Sequence, residues 1–107
     1  MILNSCSSPS EKPAPKPDTE TEEPTPTIYT VEMTQMRFFP AELKVKKGDK
    51  VVFVNHDILT HDVTEEAKKA WSSSPLTNGQ SWALVVTESV NYFCSIHPVM
   101  KGRIIVE

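Results

Sequence analysis

Near the C-terminal end of this 107-residue chain, Cys94, His97 and Met100 stand three residues apart in "YFCSIHPVMKG", residues 92–102. A lone cysteine is ordinarily a small buried hydrophobe, and a lone histidine or methionine says as little. A thiol, an imidazole and a thioether within seven residues, around Pro98 and just past a β-rich run, point to metal ligation. Thiolate and imidazole bind copper strongly, and a thioether adds a weak, soft donor.

Two imidazoles and a thiolate in a plane, with a long axial thioether, form the blue-copper arrangement, which requires one further histidine. His61 lies 33 residues before Cys94, after the apolar run 51–54 and the connection "NHDILTHDV". Two strand ends at one pole of a sandwich would bring it to the loop. His56, between Asn55 and Asp57, reads as an exposed loop histidine.

The elements that must carry these groups are short strands. "IYTVEM" (28–33) is β-rich, and "ELKVKKGDKVVFVN" (42–55) holds two runs about a Gly48-Asp49 turn. "QSWALVVTES" (80–89) follows Asn78-Gly79, and "VNYFC" (90–94) and "GRIIVE" (102–107) complete the set. Such runs, with turns every 8–12 residues, predict an all-β sandwich or barrel. The one helical candidate is "TEEAKKA" (64–70), too short to build a core. Trp82 is expected in the core and Trp71 in a connection.

Charge and proline separate the chain into a domain at 28–107 and a tail at 1–27. The net charge is −3; the tail holds two lysines against five carboxylates, and the rest is balanced at nine of each sign. A neutral domain argues against nucleic acid, which needs clustered Lys and Arg. Lys44, Lys46, Lys47 and Lys50 read as a solvated strand face. Residues 7–27, with six of the nine prolines, hold almost nothing to bury and read as a disordered or polyproline-like spacer. No run approaches the roughly 18 apolar residues of a membrane span. "LNSC", Leu3 to Cys6, resembles a bacterial lipoprotein processing box, in which the cysteine takes lipid. Only five residues precede Cys6, too few for an export signal. The expectation is a lipid-anchored protein whose native start lies upstream; the alternative is an ordinary free thiol.

"FFPAELKVKKGDKVVFVNHDILTHDV" and "NYFCSIHPVMKGRIIVE" resemble the cupredoxins, small blue copper proteins, over about residues 28–107. The Cys-x-x-His-x-x-Met spacing is most similar to the amicyanin branch; plastocyanin and pseudoazurin have a longer His-to-Met gap. The resemblance implies a Greek-key β-sandwich of about seven to eight strands and one copper held by His61, Cys94, His97 and Met100. It implies one-electron transfer, with transient docking to a cytochrome or a copper or haem oxidoreductase in an extracytoplasmic, periplasmic setting, the carrier being a monomer. Asn55 stands where amicyanin-like sequences have asparagine. Tyr92 matches the aromatic two before the cysteine, and Gly102 the glycine entering the last strand. Asp62 departs from the family's asparagine after the first histidine. Ser95 is expected to donate to it, tying the two ligand loops together. Docking is expected at Pro98 and Val99, with Met36, Phe39 or Pro40 nearby.

The main rival reading is an extracytoplasmic copper carrier or buffer using the same four residues, with Met33 and Met36 as an accessory site; packing is the preferred role for that pair. A cysteine enzyme lacks a Gly-rich oxyanion segment and leaves Met100 idle. A multicopper enzyme needs more than three histidines.

Overall fold

The computed structural model describes residues 25–107, so Cys6 and nearly all of the tail lie outside the described residues. Eight strands follow in order: β1 Ile28–Thr34, β2 Arg37–Phe39, β3 Glu42–Val45, β4 Lys50–Asn55, β5 Thr64–Glu65, β6 Ser81–Val85, β7 Val90–Phe93 and β8 Lys101–Val106. They form two four-stranded sheets, ordered β2-β1-β4-β6 and β3-β8-β7-β5. The architecture is the all-β sandwich expected.

Alternation explains the layering. In β4, Val51, Phe53 and Asn55 are buried while Lys50 is exposed; in β1, Val31 and Met33 point inward. Those two strands run parallel, with Val31 beside Phe53 and Met33 beside Asn55. From the other sheet come Val45, Tyr92 and Ile104. Tyr92 meets Phe38 and Phe53 edge-to-face, at ring separations of 4.8 and 5.1 Å. It pairs with Gly102 across β7 and β8, and its ring lies where a side chain at 102 would stand. The phenol is buried with no hydrogen-bond partner among the described residues. Burial pushes its pKa above the ordinary value.

Two strands escaped the sequence reading, β2 and β5, of three and two residues. The run 64–70 is not helical. Glu65 pairs with Tyr92 in a strand, and its carboxylate accepts the N–H groups of Ala67, Lys68 and Ala70 at 2.8–3.0 Å. Those bonds close a turn in which Lys69 is left-handed, at φ 54°. A side chain has taken the donors a helix would have used. Strand β6 stops at Val85, because the N–H and C=O of Val86 bond to Asp49 and Gly48. Trp82 faces Phe53 at 6.0 Å and stacks on the half-buried Trp71 at 5.5 Å.

The Glu65 turn predicts a pH effect. The N–H of Ala70, with those of Lys68 and Ala67, holds the carboxyl below its ordinary value against the opposing effect of burial. Its folded pKa is depressed relative to the unfolded chain. The stability it contributes is therefore present above the unfolded value, near 4.3, and lost as pH falls through the folded one. Glu65→Gln should flatten the stability–pH curve on that acid limb, as read by urea unfolding across a pH series; an unchanged limb would contradict the assignment.

Candidate metal centre

Strands β4 and β7 both end at one pole of the sandwich, at Asn55 and Phe93. The loop after β4 is organised by Asn55, which is fully buried. Its Nδ2 donates to the carbonyls of Leu59 (2.9 Å) and Leu76 (2.7 Å), and its Oδ1 accepts the N–H of Asp57 (2.8 Å). His61 and Leu76 exchange two backbone hydrogen bonds, at 3.1 and 2.7 Å. The loop after β7 is closed at its base, where Cys94 N–H donates to Met100 C=O at 3.0 Å. Within it, Met100 N–H donates to His97 C=O at 2.9 Å. The three-residue spacing thus serves a tight loop that returns Met100 to the strand end Cys94 has left.

Three side chains converge. His61 Nδ1 lies 3.2 Å from His97 Nδ1, and Cys94 Sγ lies 3.7 and 3.9 Å from the two nitrogens. The centre of a triangle with those sides is about 2.1 Å from each corner, near the roughly 2.0–2.3 Å bonds that imidazole and thiolate make to a first-row metal. His61 and Cys94 are fully buried and His97 half-buried. Met100 is buried in the same loop. His56 is exposed and outside the cluster.

The protonation pattern fits a cation. His61 Nε2 lies 2.7 Å from Asp57 Oδ2. An ionised carboxylate only accepts, so the contact calls for a proton on Nε2, and in the neutral ring that leaves the Nδ1 lone pair for a cation. Burial raises the Asp57 pKa, but the hydrogen bond from His61, then the N–H groups of Met36 and Gln35, outweigh it and hold the carboxyl below its ordinary range. Sequence reasoning missed Asp57. Its signal was the spacing of four to His61, which carries meaning on a helix but little in a loop.

A second carboxylate joins the loops. Asp62, buried, accepts Ser95 N–H on Oδ1 (2.7 Å) and the Ser95 hydroxyl on Oδ2. Thr64 Oγ1 also donates to it, at 3.3 Å. The Asp62 N–H in turn points to Cys94 Sγ at 3.4 Å, a contact that suits a thiolate acceptor.

Of the expected docking residues, Val99 is 84% exposed and Pro98 exposed. Met36 is on the β1–β2 turn at the same pole, where its N–H bonds to Asp57. Phe39 and Pro40 lead away from that pole, since Phe39 pairs with Glu32 further down β1. Sequence reasoning overlooked Ile58, 92% exposed, and Leu59 in the loop that carries His61.

Comparison with known proteins agrees with this geometry. Residues 27–107 match the family model of copper binding proteins, the plastocyanin/azurin family. Amicyanin from Paracoccus versutus is 30% identical over 104 residues, spanning 92% of this chain and 75% of the relative. A reduced amicyanin variant of known structure aligns with a TM-score of 0.71 at 30% identity, covering 79% of this chain and 87% of that one. A copper-containing nitrite reductase from Thermus scotoductus aligns at 30% identity with a TM-score of 0.68. It covers 82% of this chain and only 24% of the reductase.

Proposed function

The chain belongs to the plastocyanin/azurin family of copper-binding proteins, which bind one copper, and from that premise we propose that it is a blue copper electron carrier. The observation that carries the proposal is the triangle of His61 Nδ1, His97 Nδ1 and Cys94 Sγ, with Met100 buried in the same loop as the last two. His61, Cys94, His97 and Met100 would hold the ion, with Asn55, Asp62 and Ser95 fixing the loops that present them. Bound there, copper would supply a one-electron couple.

The chain's own groups suit that couple. Two hydrogen-bonded carboxylates restrain the site, Asp57 by holding the His61 ring and Asp62 by joining the two ligand loops, so the donors need move little between oxidation states. Burial of His61, Cys94 and Met100 keeps water from them. Four protein donors leave no open position for a substrate, whereas a catalytic metal keeps one; this supports a carrier rather than an enzyme.

Of the four, His97 alone reaches the surface. Around it Ile96, Pro98 and Val99 are exposed, with Ile58, Leu59 and Met36 on neighbouring loops at this pole. This uncharged surface is the proposed docking face for a redox protein, a cytochrome or a copper or haem oxidoreductase, in a transient complex. The proposed setting is extracytoplasmic, with the domain at 28–107 carried as a monomer on the 1–27 tail and anchored by lipid at Cys6. The rival role as a copper carrier uses the same four residues, with Met33 and Met36 only as an accessory site. Met33 is buried in the core and Met36 sits on an exposed turn, so the two share no face.

The test is electron exchange. Val99→Asp should slow bimolecular electron transfer with a haem-protein acceptor about tenfold, because a carboxylate must be desolvated in the apolar contact. The visible spectrum should stay unchanged. An unchanged rate with every acceptor tried would contradict the docking face.

A further inference from the structure

The turn between β1 and β2 is strained. Gln35 and Met36, at φ 54° and 61°, are both left-handed, and Thr34 pairs with Arg37 across them. This is the two-residue hairpin geometry that Asn-Gly favours. Neither glutamine nor methionine enters that region readily. Non-glycine residues persist there when surrounding groups hold them.

The holding group is Asp57. Its Oδ1 accepts Gln35 N–H at 2.8 Å, and its Oδ2 accepts Met36 N–H at 3.1 Å. The same Oδ2 accepts the proton of His61 Nε2 at 2.7 Å. One oxygen thus bridges an exposed turn and a fully buried imidazole. Asp57 is itself fixed on both sides of its peptide, by Asn55 Oδ1 on its N–H and Asn78 Nδ2 on its C=O at 3.0 Å.

We propose that the Gln35–Met36 turn positions His61 through Asp57. The turn's two N–H groups orient the carboxylate. The carboxylate then sets the tautomer and plane of His61 and points Nδ1 at Cys94 and His97. Asp57 and the turn are positioning residues. Resting on the function proposed above, the turn also gives a docked partner a direct mechanical link to a ligand histidine, because Met36 is part of the docking face.

The consequence is readable without metal, by nitrogen-15 NMR of the histidine rings in the metal-free full chain. His61 should show one tautomer, protonated at Nε2. Asp57→Asn should lower the tautomer ratio about tenfold, the change expected for loss of a charge-assisted hydrogen bond. A single glycine inserted between Gln35 and Met36, which lengthens the turn without touching His61 or Asp57, should weaken the same preference. Replacing the pair by Gln35→Asn with Met36→Gly keeps both N–H donors in a relaxed turn and should leave His61 as it is. A folded hairpin with unchanged His61 resonances after the insertion would overturn the proposal. Where the insertion unfolds the hairpin, the reverse direction decides: Asp57→Asn must speed amide exchange at Gln35 and Met36, and unchanged exchange there overturns it equally. Failure of copper binding would sink the electron-carrier reading but leave this result standing, so the two fail separately.

Discussion

Gly102→Ala should destabilise the protein by about 2–3 kcal/mol, at the upper end for an overpacked core. A β-carbon at 102 would fall well inside 3.0 Å of Cζ, Cε1 and the hydroxyl of Tyr92. Retreat of the ring is opposed by Phe38 and Phe53, which pack against it edge-to-face at 4.8 and 5.1 Å. Tyr92→Phe should not rescue the variant, since the ring carbons collide as badly as the hydroxyl. The effect should reach the metal centre. Tyr92 is two residues before Cys94, and Gly102 two after Met100, so pushing β7 and β8 apart separates the thiol from the thioether. Urea unfolding measures the first effect and copper retention against a chelator the second. A loss below about 0.5 kcal/mol, within the range of ordinary surface changes, would show that the core yields despite that packing.

Asp62→Ala should cost about 1–2 kcal/mol by removing the acceptor of the Ser95 N–H and hydroxyl, while Thr64 Oγ1 keeps Ser72 Oγ as a partner at 2.8 Å. It should also weaken copper binding about 10–100-fold, as loss of a group supporting the ligands typically does. Asp62 is the acceptor through which the His61 segment grips the residue after Cys94. Asp62→Asn separates geometry from charge. The amide is nearly isosteric but removes a negative charge beside the centre, which favours the more highly charged oxidised state. The reduction potential should therefore rise in the Asn variant. Competition titration gives the affinity and protein-film voltammetry the potential. A potential that falls would contradict the charge argument, and an Ala variant with native affinity would contradict the tie between the loops.

The ligand loop was legible because its three donors fall within seven residues, and a loop that short brings them together wherever it sits in the fold. His61 was legible from its place after the 51–54 run, with His56 read as an exposed loop histidine, but its separation of 33 residues from Cys94 carries no distance of its own, so the ligand set rested on the resemblance. Strand β1 was readable as a β-rich run and β4 as an apolar run after the Gly48-Asp49 turn. Strands β2 and β5 were not, because two or three residues hold no period. The run 64–70 misled because its composition suits a helix, while the fold sends the Glu65 carboxylate back onto three of its N–H groups. Asp57 was invisible for a related reason. Its partners are backbone N–H groups more than twenty residues away, and nothing in the identity of Gln35 or Met36 announces them. Ile58 and Leu59 were passed over because nothing in their segment shows that the topology sets them at the same pole as Val99.

The most direct test of the account is titration of the metal-free protein with Cu(II), followed by visible absorption and EPR and repeated on Cys94→Ser. The account predicts an intense thiolate-to-copper band that saturates at about one equivalent, the stoichiometry of a mononuclear site, with a narrow copper hyperfine splitting, both lost in the serine variant. Copper bound without that band, or a band that survives Cys94→Ser, would contradict it.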